Sequence, residues 1–416
     1  MANAITEPML LDKTGKKMLA EMARANLLKE TEIGKGVSEV EDWGALAAMV
    51  DSGYASAAFP VNSKISLKWT DNVGSKQYDM KHRVLGYQAR NIKGGLARNL
   101  MFLQPTLALP IDTQFDAIEA FYAAPAGGLK AGTYYITCGS DWGKMVRGQT
   151  YQFTTTIDLS EGGQLSFQQD IYNAVPSKVY SYATCGAAEA QESVPVTVGG
   201  SAGTRLGTIT TGVVDESGAI NNLNRAGFGS NRWATSGIRQ WLNSDKPKNT
   251  WWMPQTKWDR PPNYASTRDG YLAGFEDKGF LERVPLLEVK TAKPYCDGGT
   301  DGGTECDVTY DRFWLPCAED LYWNQRSYSI PSGLEGKAFD YYRQLSGSSS
   351  PTTIWAEHKE YIMCGAEAPT SARHVFERSA NRNGGHGVSV CPSSGYVNNA
   401  NAYSGNRAAP ACAFGI

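Results

Sequence analysis

The chain lacks an excess of either charge: 40 Lys and Arg stand against 42 Asp and Glu, so the formal net charge is −2. A surface so balanced offers no electrostatic footprint to nucleic acid or to an anionic membrane, and neither is expected as a partner. Also missing is any apolar run long enough to cross a bilayer, and the N-terminus has no basic start followed by an apolar core and a small-residue cleavage site. The expectation is a chain made in the cytoplasm without membrane insertion; work outside the cell would need a carrier other than secretion. The eight Cys include no C-x-x-C pair, and none of His82, His358, His374 and His386 has a partner at zinc spacing. No metal or other cofactor is expected. Cys296 and Cys306 bracket a glycine-rich loop, but a reducing cytoplasm favours free thiols.

The sharpest absence is local. From Ser379 to Ile416 there is no Lys, Glu, Gln, Met, Trp or Asp, although the preceding chain uses all six. Asn, Gly, Ser and Ala dominate instead. Tight turns explain the glycines, because Gly and Asn tolerate left-handed backbone angles. They do not explain the loss of long and charged side chains, since solvent-facing loops ordinarily use Lys and Glu. A genetic cause would: randomising the adenines of Asn codons that end in a pyrimidine cannot reach Lys, Glu, Gln, Met or Trp. The tail obeys that exclusion, and Asn383, Asn398, Asn399, Asn401 and Asn406 read as unmutated positions. A low-complexity loop is the competing explanation.

Arg378-Ser-Ala-Asn381-Arg382, Ser394-Gly395 and Arg407-Ala-Ala-Pro410-Ala-Cys-Ala-Phe-Gly415 resemble the frame around the variable region of bacteriophage proteins diversified by retroelements, the family of the phage major tropism determinant. Upstream, Gly229-Ser-Asn-Arg-Trp233 and the blocks 238–243, 251–254, 258–262 and 310–316 are similar, in the same order, to gut-phage surface proteins of that class. The resemblance implies a C-type-lectin-like fold whose C-terminal segment is the exposed ligand face. It also implies a place on the virion surface, synthesis in the bacterial cytoplasm, and a homo-oligomer such as a trimer. The implied partners are a host-surface protein or glycan, and other virion proteins met through the N-terminal region. Carried over position by position, the variable segment 382–407 has its contacts at Asn383, Gly384, His386, Gly387, Val390, Tyr396, Asn398, Asn399, Ala400, Asn401, Tyr403, Ser404 and Asn406. Trp233, Trp241, Phe313, Trp314, Arg378, Asn381 and Pro410 would hold the backbone beneath. Tyr396 and Tyr403 are the expected energetic anchors, offering rigid apolar area with a polar tip. The many Gly and Asn imply a shallow, polar face that relies on multivalent display. Two positions depart from the pattern: Ala408 stands where Cys is usual, and Cys317 where a helix-capping Ser is usual.

The expected fold class is α+β in three parts. Residues 1–53 read as a helical leader that attaches the protein to a particle. It holds an amphipathic helix over 11–29 and a second helix with Ser38 and Glu41 as capping box and Val40, Trp43, Ala47 and Val50 on one face. Residues 54–204 read as a β-sandwich-like assembly or spacer domain, with strands at 65–69, 132–137, 149–157, 164–167, 178–182 and 194–198 and a short helix over 114–121. Residues 205–416 form the expected C-type-lectin-like domain, with helices starting near Thr235 or Ser236, after Pro316, and over 335–345.

Asp297, Asp301 and Asp307 lie among glycines but lack the ligand alternation and closing Glu of a calcium-binding EF-hand loop, so a flexible hairpin loop is expected. Trp323-Asn324-Gln325 lacks the final carboxylate of a calcium-dependent sugar site. Cys391 and Cys412 invite comparison with formylglycine-generating enzymes of related fold. Their spacing differs from that family's close pair, and fold analogy alone is a weak warrant for activity. The leading expectation is a non-enzymatic virion surface protein with a diversified ligand-binding face. The alternative is an invariant structural virion protein or fixed adhesin.

Overall fold

Leu100-Met-Phe-Leu103 is too continuously apolar to alternate between core and solvent. The Ala97–Pro105 strand that contains it is accordingly buried from Leu100 to Pro105. The computed structural model describes residues 37–119, 122–123, 126–138, 150–155, 158, 160–161, 164–166, 182–184, 205–209, 213–214, 220–221, 223–256, 258–322, 330–346, 364–382, 384–391 and 398–415. Its largest sheet has six strands in the order Val37–Ser38, Lys64–Asp71, Lys76–Asn91, Ala97–Pro105, Ala411–Phe414, Phe313–Trp314. The first pair is parallel and the rest are antiparallel. Cys412 pairs with Leu103 on one side and Phe313 on the other, so the end of the chain fills a slot between strands from two distant regions. In the long Lys76–Asn91 strand, the register slips between Val84 and Gly86. Gly86 has φ +151°, and a Cβ there would lie 2.9 Å from Asp340 Oδ2, so the bulge depends on glycine.

Helix Trp43–Asp51 covers one face of this sheet. Asp42 caps it by accepting from the Ala45 amide at 2.9 Å, and Trp43, Leu46, Ala47 and Val50 are buried at helical spacing. The Trp43 ring meets Phe280 and Phe414 with centroids 5.1 and 5.5 Å apart. Phe102, which alternation places on the opposite face from Phe414, meets Phe339 at 5.3 Å and Trp314 at 6.2 Å. The expected cap at Ser38 is therefore corrected: Ser38 pairs with Ile65 at the sheet edge. The leader is corrected in part as well. Residues 43–53 are not a detached segment, since Trp43, Leu46, Ala47, Val50, Ala55, Ala58 and Phe59 are core. The expected helix over 11–29 lies outside the described residues.

The division at residue 204 is crossed in both directions. Strands within 64–105 share one sheet and one hydrophobic core with 411–414, and Arg205–Ile209 pairs in parallel with Gly132–Cys138. The physical reason is that a strand buried on both faces needs a neighbour on each edge, and the C-terminal strand supplies one. Between these regions lie a five-stranded sheet, ordered Ile220–Asn221, Val213–Val214, Arg205–Ile209, Gly132–Cys138, Thr150–Thr155, and a three-stranded one, ordered Tyr182–Thr184, Gln164–Ser166, Tyr122–Ala123. The expected strand 194–198 lies outside the described residues.

The helix expected to start about Thr235 or Ser236 is Gly237–Leu242, and Ser236 caps it by accepting from the Arg239 amide at 3.3 Å. Thr113–Gln114 is a short strand and no helix follows over 115–119, contrary to expectation. After Pro316 there are turns instead of a helix, with Cys317 Sγ accepting from the Asp320 amide at 3.3 Å. The expected helix over 335–345 is the shorter Asp340–Ser346. The fold is mixed α+β with largely antiparallel sheets. Among the described residues, no helix is long and apolar enough to cross a membrane.

Candidate ligand-binding face

Strand position decides which tail side chains reach the surface. Val375–Ala380, Gly387–Cys391 and Asn398–Asn401 form a three-stranded antiparallel sheet, with Val388 opposite Ala400 and Val390 opposite Asn398. Asn398 is exposed, and Gly384, His386, Asn399, Ala400, Asn401, Tyr403, Ser404 and Asn406 are half-buried. These nine expected contact positions lie together on the turn, the edge strand and the return to Gly405–Asn406, which pairs with Thr113–Gln114. Two expected contacts are corrected. Val390 is 2% exposed within the core. Gly387 is buried, and a Cβ on it would stand 3.0 Å from Asn381 Cβ. Both sit on the central strand of the three, where Ser389 is buried as well. Asn383, Tyr396 and the Ser394-Gly395 frame lie outside the described residues.

The backbone under this face is held from outside the tail. Asn231 Nδ2 donates to the carbonyls of Gly384 at 2.7 Å, Gly387 at 2.9 Å and Asn381 at 3.0 Å, and the Asn231 amide donates to Gly385 O at 3.0 Å. Arg225 gives its Nε–H to Gly385 O at 2.9 Å while its terminal nitrogens fork onto Asp297. The Tyr403 amide donates to Phe228 O at 2.9 Å, the Ala402 amide to His386 O at 3.0 Å, and the Asp116 amide to Ala402 O at 3.1 Å. Gly229 has φ +78°, and a Cβ there would lie 2.8 Å from Asp116 O and 3.0 Å from the Tyr403 amide nitrogen. Only glycine lets this segment pass beneath the tail. The sequence block 229–233 marked the place, but the clamp by Asn231 and the support by Arg225 were not foreseen. Nothing in an Asn between Ser and Arg announces four bonds to a segment 150 positions away.

Two arginines of the frame lie inside the protein. Arg378 is 2% exposed; its Nη1 donates to Asp320 Oδ2 at 2.6 Å and Leu315 O at 2.8 Å, and its Nη2 to Glu335 O. Arg382 is fully buried, with Nε donating to Lys293 O and Nη1 to Gly303 O, both at 3.0 Å, and its guanidinium 5.5 Å from the Tyr295 ring centre. The glycine-rich loop between Leu287–Ala292 and Cys306–Asp311 is thus tethered, whereas a flexible loop was expected. Asp297 pairs with Arg225, Asp307 with Arg232 at 2.7 Å, and Asp301 accepts from Tyr295 Oη at 2.9 Å. Cys296 and Cys306 are free thiols. Trp233, Trp241, Phe313 and Trp314 are buried, as are Pro410 and Ala408, while Asn381 is half-buried.

Burial shapes the electrostatics behind the face. It pushes the Asp116 carboxyl well above the ordinary range, with Asp259 and Glu119 adding to the effect. It pushes Glu119 up to about 7 against the pull of Arg225. His386 is held below its ordinary value by burial and then by Arg225. Glu377 is pushed up to about 8 by burial and then by Glu335, and neither of its oxygens has a hydrogen-bond partner. Cys412 is fully buried in the central sheet with its thiol pushed up by burial, so it presents no nucleophile to a surface ligand. Among the described residues, no group of three or more His, Cys, Asp or Glu is placed to hold a metal ion.

No curated protein and no solved structure matches the chain. Residues 209–413, which take in Arg225, the Asn231 clamp, the tethered loop and the whole candidate face, match the family model described as Domain of unknown function (DUF6273).

Proposed function

We propose that this chain is a bacteriophage virion surface protein whose C-terminal, C-type-lectin-like region displays a retroelement-diversified face and attaches the particle to a host-surface protein or glycan. The observation that carries the reading is a division of labour in the tail. The 384–387 turn is bonded by Asn231 and Arg225, which lie outside the tail, while nine expected contact positions lie at least partly open on and around it. Such a face tolerates new side chains because most of the bonds that hold its backbone come from outside the tail. The return of the last strand into the central sheet favours a lectin-like closure of the domain, and the two sheets between residues 122 and 221 favour a sandwich-like middle region. With Trp43–Phe59 committed to the core, attachment to other virion proteins is assigned to residues ahead of Val37. Trimeric display would raise the avidity of a shallow, polar face. No catalytic role is proposed.

The test is deep sequencing of this gene, with its neighbouring DNA, in progeny of a single clonal lysogen. The expected result is substitutions confined to adenines in codons 383–406, beside a near-copy of that segment and a reverse transcriptase gene. An invariant tail without a second copy would overturn diversification and leave a fixed adhesin or structural virion protein.

A further inference from the structure

One cation supports the turn on which His386 sits. Arg225, 8% exposed, bonds Gly385 O on one side and Asp297 on the other. The His386 ring lies on Phe228 with centroids 5.1 Å apart, its carbonyl accepts from the Ala402 amide, and its Nδ1 is buried without a hydrogen-bond partner. A neutral imidazole is tolerated in such a place. An imidazolium would bring a second N–H with nothing to accept it, close to a guanidinium.

We propose that the 384–387 turn is an acid-released latch: a proton added to His386 sets two cations against each other, and the turn comes off Arg225 and Asn231, undoing the ligand face. The link to ligand binding rests on reading the tail as that face. The charged groups around the latch come from every packed element. Arg225 lies on helix Leu223–Phe228 and Arg232 on the segment after it. The tethered loop brings Asp297 and Asp307 to these arginines, and to Arg225 the Cys296 thiol, whose pKa burial pushes up. Glu119 and Asp259 act on Arg225, with Asp116 beside those two acids. None of these acids bonds the buried Nδ1.

The sign follows from proton counts. His386 in the closed turn is held below its ordinary 6.5, so the open turn binds more protons. Closure is therefore fully favoured above about pH 6.5 and weakens as pH falls toward the closed-state value, by at most about tenfold per pH unit for one proton. Glu119 acts in the opposite sense, because burial holds it up at about 7; acid would favour closure if release uncovered it. The Glu119→Gln variant separates the two contributions.

The experiment is hydrogen exchange of the full chain from pH 7.5 to 5, corrected for the intrinsic pH dependence, together with NMR titration of the imidazoles. The expected result is that protection of the Ala402 and Asn231 amides falls by up to about tenfold per pH unit below 6.5, while Met101 and Leu103 in the central sheet hold. The slope should vanish in His386→Gln and persist in Glu119→Gln. Parallel loss in face and sheet, an unchanged slope in His386→Gln, or an imidazole titrating at or above its ordinary value would overturn the latch. The wild-type titration decides the matter even if a variant fails to fold. Because no ligand is used, an invariant tail in the sequenced progeny would remove the diversified-face reading and leave this result standing.

Discussion

Residues 375–382 and residues 398–406 belong to the same C-terminal segment, yet they invert the usual relation between charge and burial. The first stretch contains Glu377, Arg378 and Arg382, and every residue of Val375–Ala380 is buried. The second contains no charged residue, and all of it except Ala402 is exposed or half-buried. Polarity alone would place them the other way round. The difference lies in partners. Arg378 and Arg382 replace water with carbonyls and carboxylates supplied by three distant loops, whereas the outer stretch is held mainly by its backbone. A segment can present changeable side chains when the constant part of the molecule fixes its backbone.

The most disruptive way to test that contrast is Arg378→Met, which keeps much of the volume and removes the charge. Asp320, whose side chain is 3% exposed, would lose the partner 2.6 Å away. Asp320 would keep its longer ion pair to Arg90 at 3.8 Å, but removing the close partner of a buried pair costs about 3–5 kcal/mol, a loss to be read in denaturant midpoints. A change below about 1 kcal/mol would mean that Arg378 is not part of the frame. Asn231→Ala comes next. It removes the shared donor to three carbonyls at a cost of about 2–3 kcal/mol, with exchange of the 381–387 amides rising more than that of the central sheet. Uniform acceleration throughout would make Asn231 an ordinary core residue and not a clamp on the face.

How much of this could be read in the sequence follows the same contrast. Local signals were legible where a side chain acts on its own neighbourhood: the helix start at about Ser236, the alternation of Ile65, Leu67 and Trp69, and the frame residues that proved buried. Signals failed where a distant contact decides. Ala97–Pro105 gave no period-two pattern because both its faces are covered. Asp42 took the cap assigned to Ser38 because Ser38 was drawn into a parallel pair. Val390 looked like any other tail residue, and only its place on the central strand buries it. The Asp297–Asp307 loop looked flexible because its tethers, Arg225, Arg232 and Arg382, lie far away in sequence.

The smallest expected effects belong to the outer stretch, and they bear most directly on the comparison. Asn398→Thr and Asn401→Tyr are both reachable by changing adenines in an Asn codon, and both positions lie on the edge strand. Among the described residues no ion pair or hydrogen bond joins Asn398 or Asn401 to a charged side chain, so each substitution should shift stability by no more than about 0.5 kcal/mol, measured against the Asn231→Ala variant under the same conditions. On the proposed function, adsorption to host cells of particles carrying them should change while the folded fraction does not. If Asn401→Tyr cost as much as losing Asn231, the edge strand would depend on its own side chains. The distinction between a fixed inner segment and a replaceable outer one would then fail at the position where it is most exposed to test.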